Sequence, residues 1–291
     1  MRKGLILAGG FGTRFYPSTL AVSKHLFPIF DKPMIYYPLS TLMLAGIREI
    51  AIISNNENIE IYKKLLGDGK NFGISIDYLL QNYPRGIPDA LLISKSFLDG
   101  KPCALILGDN IFYGSGFVNL LGIANNELNH CNIFLHKVQN ASIFGIAELN
   151  TENKIVKMVE KPQKKSGNLA ITGLYFFDKD AAFLCNGLEK SKRGEFEIID
   201  LLNRYNKKNL INHTTLGRGF IWFDAGTPSS LIKASNFIEN LQRRQGCLVG
   251  SPEEVSLNKG WIEKSTVQEN IYKYKDSIYG KFLSNILVDF N

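Results

Sequence analysis

The chain has 291 residues, 45% of them hydrophobic, which is enough to bury the core of one large or two small domains. Its longest apolar runs, such as Cys103 to Leu107, are strand-sized, and Met1 to Lys3 lead directly into a strand, so we expect a cytoplasmic protein with neither a membrane span nor a signal peptide. The formal net charge of +7 comes from basic residues that are spread along the chain without the interleaved aromatic residues of an RNA-binding sheet, which favours a polyanionic small substrate over a nucleic acid.

The first 110 residues alternate between strand-like and helical patterns. Such alternation predicts βαβ units around a Rossmann-like, mostly parallel central sheet, which is an α/β fold. The strand-like runs are Gly4 to Ala8, Glu49 to Ser54, Ile74 to Leu80 and Cys103 to Leu107. The helical patterns are Leu39 to Ala45, Ile59 to Leu66 and Asp89 to Phe97.

From Ile133 onward, strand-like runs follow one another across short polar turns, which predicts added antiparallel or mixed strands that carry a second substrate. These runs are Ile133 to Val138, Gly145 to Leu149, Lys154 to Val159 and Ala170 to Phe177. A helical pattern from Ser229 to Gln242 and shorter ones up to Asn291 predict a C-terminal helical appendage. We therefore predict a core over residues 1–227, with halves of about 1–110 and 111–227, and a helical region over 228–291 that provides an oligomeric or regulatory surface.

The cysteines are scattered along the chain without a C-x-x-C pair, so the sequence predicts neither a zinc site nor a disulfide framework. The four cysteines are Cys103, Cys131, Cys185 and Cys247. Three of these four lie in apolar surroundings, as is typical of buried core thiols.

A glycine-rich turn follows the first strand and ends on Arg14. Glycines at positions 9, 10 and 12 allow backbone N–H groups to approach anionic oxygens closely, and the arginine adds a forked cation that fits phosphate. From the residues alone, an ordinary glycine-rich turn remains an alternative. The spacing is neither that of a P-loop nor that of a dinucleotide-binding loop, because Phe15 stands where the third glycine of the latter belongs.

A second cation, Lys24, follows about ten residues later between prolines that fix the path of the chain. The two segments, Gly9 to Pro17 and Ser23 to Pro28, resemble those of the sugar-phosphate nucleotidyltransferases, and most of all those of the members that transfer a thymidylyl group. Further segments match the family pattern along the whole chain. They are Asp31 to Pro38, Leu107 to Phe112, Glu160 to Pro162, Thr172 to Tyr175, Arg193 to Glu195 and Trp222 to Asp224.

The resemblance implies a Mg²⁺-dependent reaction in which dTTP and α-D-glucose 1-phosphate give a dTDP-sugar and pyrophosphate. It also implies a homotetramer, a dimer of dimers, with end-product inhibition at a second site. UTP in place of dTTP, a modified hexose 1-phosphate, or a non-catalytic regulator that binds a nucleotide sugar remain as alternatives.

Two aspartates stand at the ends of strand-like runs, Asp109 after the run that ends at Leu107 and Asp224 after Phe220 to Phe223. A pair of carboxylates there suits a hard divalent ion, although either residue could instead cap a turn. The resemblance implies that both hold Mg²⁺.

Four cations share the catalytic work in the interpretation that the resemblance implies. Arg14 and Lys24 contact the triphosphate, and Lys161 and Arg193 hold the phosphate of the sugar, although lysines and arginines usually lie on a solvated surface. No general base is needed, because the attacking phosphate is already ionised at neutral pH.

The resemblance implies that Gln81 reads the base, and its amide complements the N3–H and O4 edge that thymine and uracil share. Gly86 would let the backbone approach the ring. The complete nucleotide-binding set implied by the resemblance is Gly9, Gly10, Gly12, Thr13, Arg14, Lys24, His25, Gln81, Gly86 and Asp109.

The sugar side is expected to use Glu160 as an acceptor for vicinal hydroxyls, while Tyr175 and Trp222 could equally be core aromatics. The complete sugar-phosphate set implied by the resemblance is Asn110, Gly145, Glu160, Lys161, Ile171, Tyr175, Arg193 and Trp222.

Four positions depart from the family pattern without removing a metal ligand or a phosphate-binding cation. His25 and Asp89 each replace a glutamine, Phe144 replaces a tyrosine, and Ala225 replaces a threonine. The first two alter charge and hydrogen bonding near the substrates, and Phe144 lacks a hydroxyl near the hexose, which leaves a sugar other than glucose open.

Overall fold

A computed structural model describes residues 1–163, 167–191 and 194–289 of the chain. The strands in these residues are β1 (Lys3–Leu7), β2 (Pro28–Ile29), β3 (Lys32–Pro33), β4 (Glu49–Ser54), β5 (Ser75–Leu80), β6 (Cys103–Leu107), β7 (Asn110–Tyr113), β8 (Cys131–Lys137), β9 (Gly145–Leu149), β10 (Ile155–Glu160), β11 (Leu169–Phe177), β12 (Ile211–Leu216) and β13 (Ile221–Asp224). The α-helices are α1 (Tyr36–Leu44), α2 (Asn56–Leu66), α3 (Ile87–Ile93), α4 (Lys95–Leu98), α5 (Phe117–Asn126), α6 (Ala181–Leu184), α7 (Ile198–Lys207), α8 (Pro228–Gln245), α9 (Pro252–Asn258), α10 (Lys264–Tyr274) and α11 (Ile278–Asp289).

Nine of these strands form one sheet, whose first half is parallel and whose second half is mixed. The order β5-β4-β1-β6 is parallel throughout, as expected for strands joined by helices. Strand β11 pairs antiparallel on one edge with β9 at its start and with β6 further along, and on its other edge with β8 over most of its length. The outer strands β10 and β12 pair with β9 and β8. The predicted mostly parallel α/β sheet with added antiparallel strands is confirmed.

The sheet separates two apolar clusters because successive side chains of a strand point to opposite faces. On β1, Ile6 packs into one cluster with α1, whereas Leu5 packs into the other with α3 and α7. The same alternation places Ile106 with the first cluster and Leu105 with the second. Strands buried on both faces explain the continuous apolar runs in the sequence.

The position of β1 in the sheet creates the crevice in which the site lies. The chain leaves β1 on one side toward β4 and β5 and later returns to β6 on the other side, so the loops after β1 and β6 diverge at the carboxyl ends of neighbouring strands. Open α/β sheets bind ligands at such a switch point. The glycine-rich turn follows β1, and Asp109 follows β6.

The C-terminal helices pack onto the first cluster rather than standing apart from it. Val255 of α9 and Leu283 of α11 belong to the same apolar cluster as Ile6 and Leu39. A buried polar contact adds to this packing, because Gln242 of α8 accepts a hydrogen bond from the Lys32 ammonium at 3.0 Å. The division at residue 227 stays a prediction. Within the described ranges, none of the helices combines the length and the apolar character that crossing a lipid bilayer requires.

Candidate active site

The glycine-rich turn is shaped by local geometry that few side chains permit. Gly12 has a φ of 63°, and a Cβ there would lie 2.9 Å from Cγ2 of Thr19. The Thr19 hydroxyl donates a hydrogen bond of 2.8 Å to the Gly12 carbonyl and so fixes the turn. The short 3-10 turn Thr13–Phe15 follows and carries Arg14. The turn therefore needs glycine at position 12 and holds the arginine at the mouth of the crevice.

Lys24 and Asp109 form an ion pair at the carboxyl end of the sheet. Both side chains are mostly buried, and the amide of Asn110 donates a second hydrogen bond, of 3.1 Å, to the Asp109 carboxylate. Burial alone would raise the pKa of Asp109, but the Lys24 ammonium, together with its hydrogen bond and that of Asn110, lowers this pKa to about 2. Asp109 is therefore ionised at neutral pH.

Asp224 reaches the same place because β13 pairs antiparallel with β7. In that ladder Asp224 lies opposite Asn110, and the Ala225 N–H donates to the Asp109 carbonyl at 2.9 Å. Burial, and next the charge of Asp109, raise the pKa of Asp224. Two carboxylates thus face each other in a setting where a cation would relieve their repulsion.

Gly226 marks the space between these groups. A Cβ at this position would lie 2.8 Å from Oδ1 of Asp224, 3.1 Å from Oδ2 of Asp109 and 3.7 Å from Nη1 of Arg14. Two acids and the Arg14 guanidinium therefore border one small space that only a glycine leaves open.

The two aspartates have the donor chemistry of a Mg²⁺ site to which substrate phosphates would contribute. Among the described residues, no group of three or more histidine, cysteine, aspartate or glutamate side chains could hold a metal ion. Mg²⁺ is commonly held by one or two carboxylates together with substrate phosphates and water, and the open space at Gly226 suits that division.

His25 is buried next to this centre and does not line the cleft. Its Nδ1 lies 3.1 Å from the Ser23 hydroxyl and 3.3 Å from the Tyr62 hydroxyl. Burial, followed by the charge of Lys24, lowers the pKa of His25 to about 3, so the imidazole is neutral. A Cβ on Gly108 would lie 2.6 Å from its Cδ2, so the ring packs directly against the residue before Asp109.

A cleft of about 320 Å³ runs from the base-reading end to the sugar end of the predicted site. This volume is at the lower end of the range for small-molecule sites. Eleven of the predicted residues line it: Gly10, Gln81, Gly86, Asn110, Gly145, Glu160, Lys161, Ile171, Tyr175, Trp222 and Asp224.

The base-reading end lies between β5 and α3. Gln81 directly follows β5, and its amide nitrogen donates a hydrogen bond of 2.8 Å to Asp89. Gly86 has a φ of 98°, and a Cβ there would lie only 2.1 Å from the carbonyl oxygen of Phe196. The Phe196 N–H in turn donates to the Arg85 carbonyl at 2.8 Å, so this segment closes the cleft beside the loop.

The sugar end is built around Asn110. Its Oδ1 accepts hydrogen bonds from the Trp222 indole N–H at 2.6 Å and from the Gly173 N–H at 2.9 Å. The Phe144 ring lies 4.9 Å from the Trp222 ring. Trp222 is thus a fixed wall of the cleft, as its partly buried indole indicates.

Glu160 and Lys161 lie together at the end of β10. The Lys161 ammonium is 3.6 Å from the Glu160 carboxylate, and a Cβ on Gly145 would be 3.3 Å from Oε2 of the same glutamate. Tyr175 also lines this end, although it is only 3% exposed and its ring stacks on Phe177.

The predicted set and the observed site do not coincide completely. Arg193 lies outside the described residues. Gly226, Phe196 and Ile199 also border the site, and none of them was predicted from the sequence. Only Gly226 carried a signal, since a glycine two residues after a candidate metal ligand suggests a close approach.

Comparison with known proteins identifies the family. The model of the nucleotidyl transferase family matches residues 3–241, more than half of the chain. The chain belongs to this family. The resemblance predicted from the glycine-rich turn and the lysine segment is thereby confirmed.

Relatives within this nucleotidyl transferase family match the chain over nearly its full length. Glucose-1-phosphate thymidylyltransferase of Xanthomonas campestris pv. campestris (strain B100) is 45% identical over 283 residues, which cover 97% of this chain and 96% of the relative. The enzyme of the same description from Mycobacterium tuberculosis is 41% identical over 288 residues, which cover 98% and 99%.

A solved structure agrees with this family assignment. It is a Bacillus anthracis protein, provisionally assigned as a glucose-1-phosphate thymidylyltransferase and crystallised with sucrose. It matches this nucleotidyl transferase with a TM-score of 0.74 and 34% identity, covering 81% of this chain and 95% of its own.

Proposed function

We propose that this nucleotidyl transferase transfers a deoxythymidylyl group from dTTP to α-D-glucose 1-phosphate. An oxygen of the sugar phosphate attacks the α-phosphorus of dTTP, a new P–O bond forms, and the bond to the β-phosphate oxygen breaks. The products are dTDP-glucose and pyrophosphate. The names of the full-length relatives support this substrate pair.

The observation that carries the proposal is the convergence at Gly226. Asp109, Asp224 and Arg14 border one space, Lys24 is paired with Asp109, and this centre adjoins a cleft with a base-reading end and a sugar end. A site that must bring two polyanions together needs this separation of two pockets by a charged centre.

Charge neutralisation and alignment make up nearly all of the catalytic task. Arg14 and Lys24 would neutralise the triphosphate, and Lys161, with Arg193 by resemblance, would hold the sugar phosphate in line with the α-phosphorus. Because the attacking phosphate is already ionised, no general base is required. The buried, neutral His25 agrees with this, since it packs against Gly108 instead of lining the cleft.

Asp109 and Asp224 would hold a Mg²⁺ ion in this proposal. When bound, the ion would neutralise charge on the α-phosphate and on the leaving pyrophosphate. The Lys24 ammonium now occupies one side of Asp109, so we expect it to move toward the triphosphate when the substrates bind.

Substrate choice would be made at the two ends of the cleft. Gln81 would read the pyrimidine edge, and Gly86 would let the backbone lie close to the ring. At the other end, Glu160 would accept from sugar hydroxyls, and the Trp222 indole would form a wall. The Phe144 ring gives that wall an apolar surface. Hexose 1-phosphates other than glucose 1-phosphate should therefore be tested together with glucose 1-phosphate.

The test is pyrophosphate release with each sugar 1-phosphate in a small panel, together with identification of the sugar nucleotide formed. We expect release only when dTTP, a hexose 1-phosphate and Mg²⁺ are all present, and glucose 1-phosphate to be the best acceptor. Asp109→Asn and Asp224→Asn serve as site controls, and Asp99→Asn, on an exposed turn, serves as the matched control. Release without any sugar phosphate would contradict the proposal.

The remaining expectations concern the whole protein. We propose a homotetramer in the cytoplasm, with the core over 1–227 and the helical region over 228–291 contributing to subunit contacts. Light scattering after size-exclusion chromatography measures the oligomeric state directly.

A further inference from the structure

Gln81 is held by one side of its amide only. Its backbone N–H donates to the Ser54 carbonyl at 2.8 Å, and its side chain, 3% exposed, reaches the wall of the cleft. Nε2 donates to Oδ2 of Asp89 at 2.8 Å. Oε1 lies 3.3 Å from the position that a Cβ would take on Gly9, and in the part of the chain that the structure describes no group donates a hydrogen bond to it.

The partner decides which way this amide faces. A carboxylate only accepts hydrogen bonds, so the Gln81 nitrogen must lie against Asp89. Turning the amide by half a rotation would place two oxygens, Oε1 of Gln81 and Oδ2 of Asp89, against each other at hydrogen-bond distance. A neutral amide or hydroxyl at position 89 would impose no such choice, because either group both donates and accepts.

The orientation of this amide matters because pyrimidines differ along the edge it would read. Thymine and uracil present an N3–H donor beside the O4 acceptor, whereas cytosine presents the N3 acceptor beside an amino donor. One amide orientation complements the first pattern and the reversed orientation complements the second. A glutamine that could turn freely would therefore accept either edge.

We propose that Asp89 fixes the Gln81 amide in the orientation that reads thymine or uracil and thereby excludes cytosine. Asp89 does not line the cleft, so it is a positioning residue that acts through Gln81. This inference rests on the proposed function, because it explains how that reaction selects its triphosphate. It also gives a role to a departure from the family pattern, since the usual glutamine at this position could donate or accept.

The surroundings of Asp89 favour a fixed carboxylate. It lies in the first turn of α3, where the helix dipole stabilises negative charge. The start of α3 is itself held in place, because Gly86 packs against the carbonyl of Phe196. The contact between Asp89 and Gln81 therefore belongs to a segment that is held in place.

The test compares kcat/KM for dTTP, UTP and CTP in the wild type and in Asp89→Asn. We expect the dTTP-to-CTP ratio to fall at least about tenfold in the variant, because its neutral amide permits both Gln81 orientations. The dTTP-to-UTP ratio and the KM for glucose 1-phosphate should stay within about twofold, since neither depends on the direction of the amide. Asp77→Asn, which removes an exposed carboxylate from β5, is the matched control and should change none of these values.

The outcomes separate this inference from the proposed function. A wild type that uses neither dTTP nor UTP contradicts the proposed function. If the wild type prefers dTTP and Asp89→Asn keeps the full discrimination against CTP, Asp89 does not set base choice by fixing the Gln81 amide. An equal loss with all three triphosphates would also overturn this inference, because that result indicates a general structural role. If Asp89→Asn does not fold, Asp89→Ser, whose hydroxyl both donates and accepts, provides the same comparison.

Discussion

Gly226 shows how one residue without a side chain shapes the charged centre. Its Cα hydrogens face the carboxylates of Asp109 and Asp224, and a methyl group would meet both oxygens at about 3 Å. These oxygens would have to move apart to make room for it. The glycine thus leaves room for the two acids to lie close together.

Replacing this residue tests that role. We expect Gly226→Ala to lower kcat about 100-fold or more, because the methyl group occupies the space between the two carboxylates and displaces the groups that offset phosphate charge. The unfolding temperature should change little, since the site is not part of the apolar core. Steady-state kinetics with a thermal unfolding scan measures both. Near-normal turnover in a folded variant would show that this space is not the reaction centre.

Lys161 lies at the sugar end, where its charge is expected to hold phosphate. We expect Lys161→Gln to raise the KM for glucose 1-phosphate by about tenfold while changing the KM for dTTP much less, because a charge-assisted hydrogen bond to phosphate is lost. Lys157→Gln, which changes an exposed lysine on β10, is the matched control. A loss that falls mainly on dTTP would mean that the two halves of the site are reversed.

Much of the site could be predicted at the level of single residues. For glycines, cations and carboxylates, the residue type alone indicates the chemistry that the side chain can perform. The structure brings most of the predicted residues to one cleft. Phe196 could not be predicted, because its importance comes from what lies near it in space, and Gly226 carried only the signal of its place two residues after a candidate metal ligand. The pairing of Gln81 with Asp89 was equally hidden, since eight positions separate the two residues in the chain.

At the level of elements, the β7–β13 ladder does the most to assemble the site. It joins residues more than a hundred positions apart and sets Asp224 opposite Asn110. Strand β7 is only four residues long, and it follows β6 after a two-residue turn, so the sequence pattern does not separate the two. Short strands of this kind depend on their partner and carry little periodicity of their own.

Some elements were predicted closely, whereas α5, α7 and β12 were missed. Strands β4, β6 and β9 have the predicted bounds, because a run of apolar residues bounded by polar ones defines them. Helix α7 was missed although it is amphipathic, since its apolar positions follow an irregular polar segment. Helix α8 begins one residue earlier and ends three residues later than predicted.

The start of α8 depends on a local cap. The Thr227 hydroxyl accepts a hydrogen bond of 3.2 Å from the Ser230 N–H, and the Ser230 hydroxyl accepts from the Thr227 N–H at 3.1 Å. We expect Thr227→Ala to lower the free energy of unfolding by about 1 kcal/mol, because the Ser230 N–H loses its side-chain acceptor. Denaturant unfolding measures this change, and Thr227→Ser should restore most of it. An unchanged midpoint in Thr227→Ala would show that the cap contributes nothing.

At the scale of the whole molecule, the C-terminal helices bury acidic groups against the core. The Glu253 carboxylate accepts hydrogen bonds from the hydroxyls of Tyr274 and Tyr279. Its neighbour Glu254 is also largely buried, and burial raises the pKa of Glu254 to about 7 although the charge of Lys32 opposes this. Packing of this region is therefore coupled to protonation.

The sign of that coupling follows from the raised pKa. Between about pH 5 and pH 7 the folded protein holds a proton on Glu254 that the unfolded chain has lost, so stability falls as the pH rises through this window, by about 1 to 3 kcal/mol from this group. We expect Glu254→Gln to reduce this fall, and the variant to be more stable than the wild type at pH 8. Unfolding free energies at several pH values measure it. If the free energy of unfolding depended on pH identically in the two proteins, Glu254 would not be the group responsible.

The central claim, a thymidylyl transfer organised around Asp109 and Asp224, is tested most directly by kcat/KM for each triphosphate at fixed glucose 1-phosphate and Mg²⁺. We predict that dTTP is the best substrate and that UTP follows within about 10- to 200-fold, since one methyl group in an apolar pocket gives discrimination of that size. CTP, ATP and GTP should be poor, because cytosine presents the wrong edge to Gln81 and purines exceed a site shaped for one ring. A clear preference for CTP or for a purine triphosphate would contradict the account.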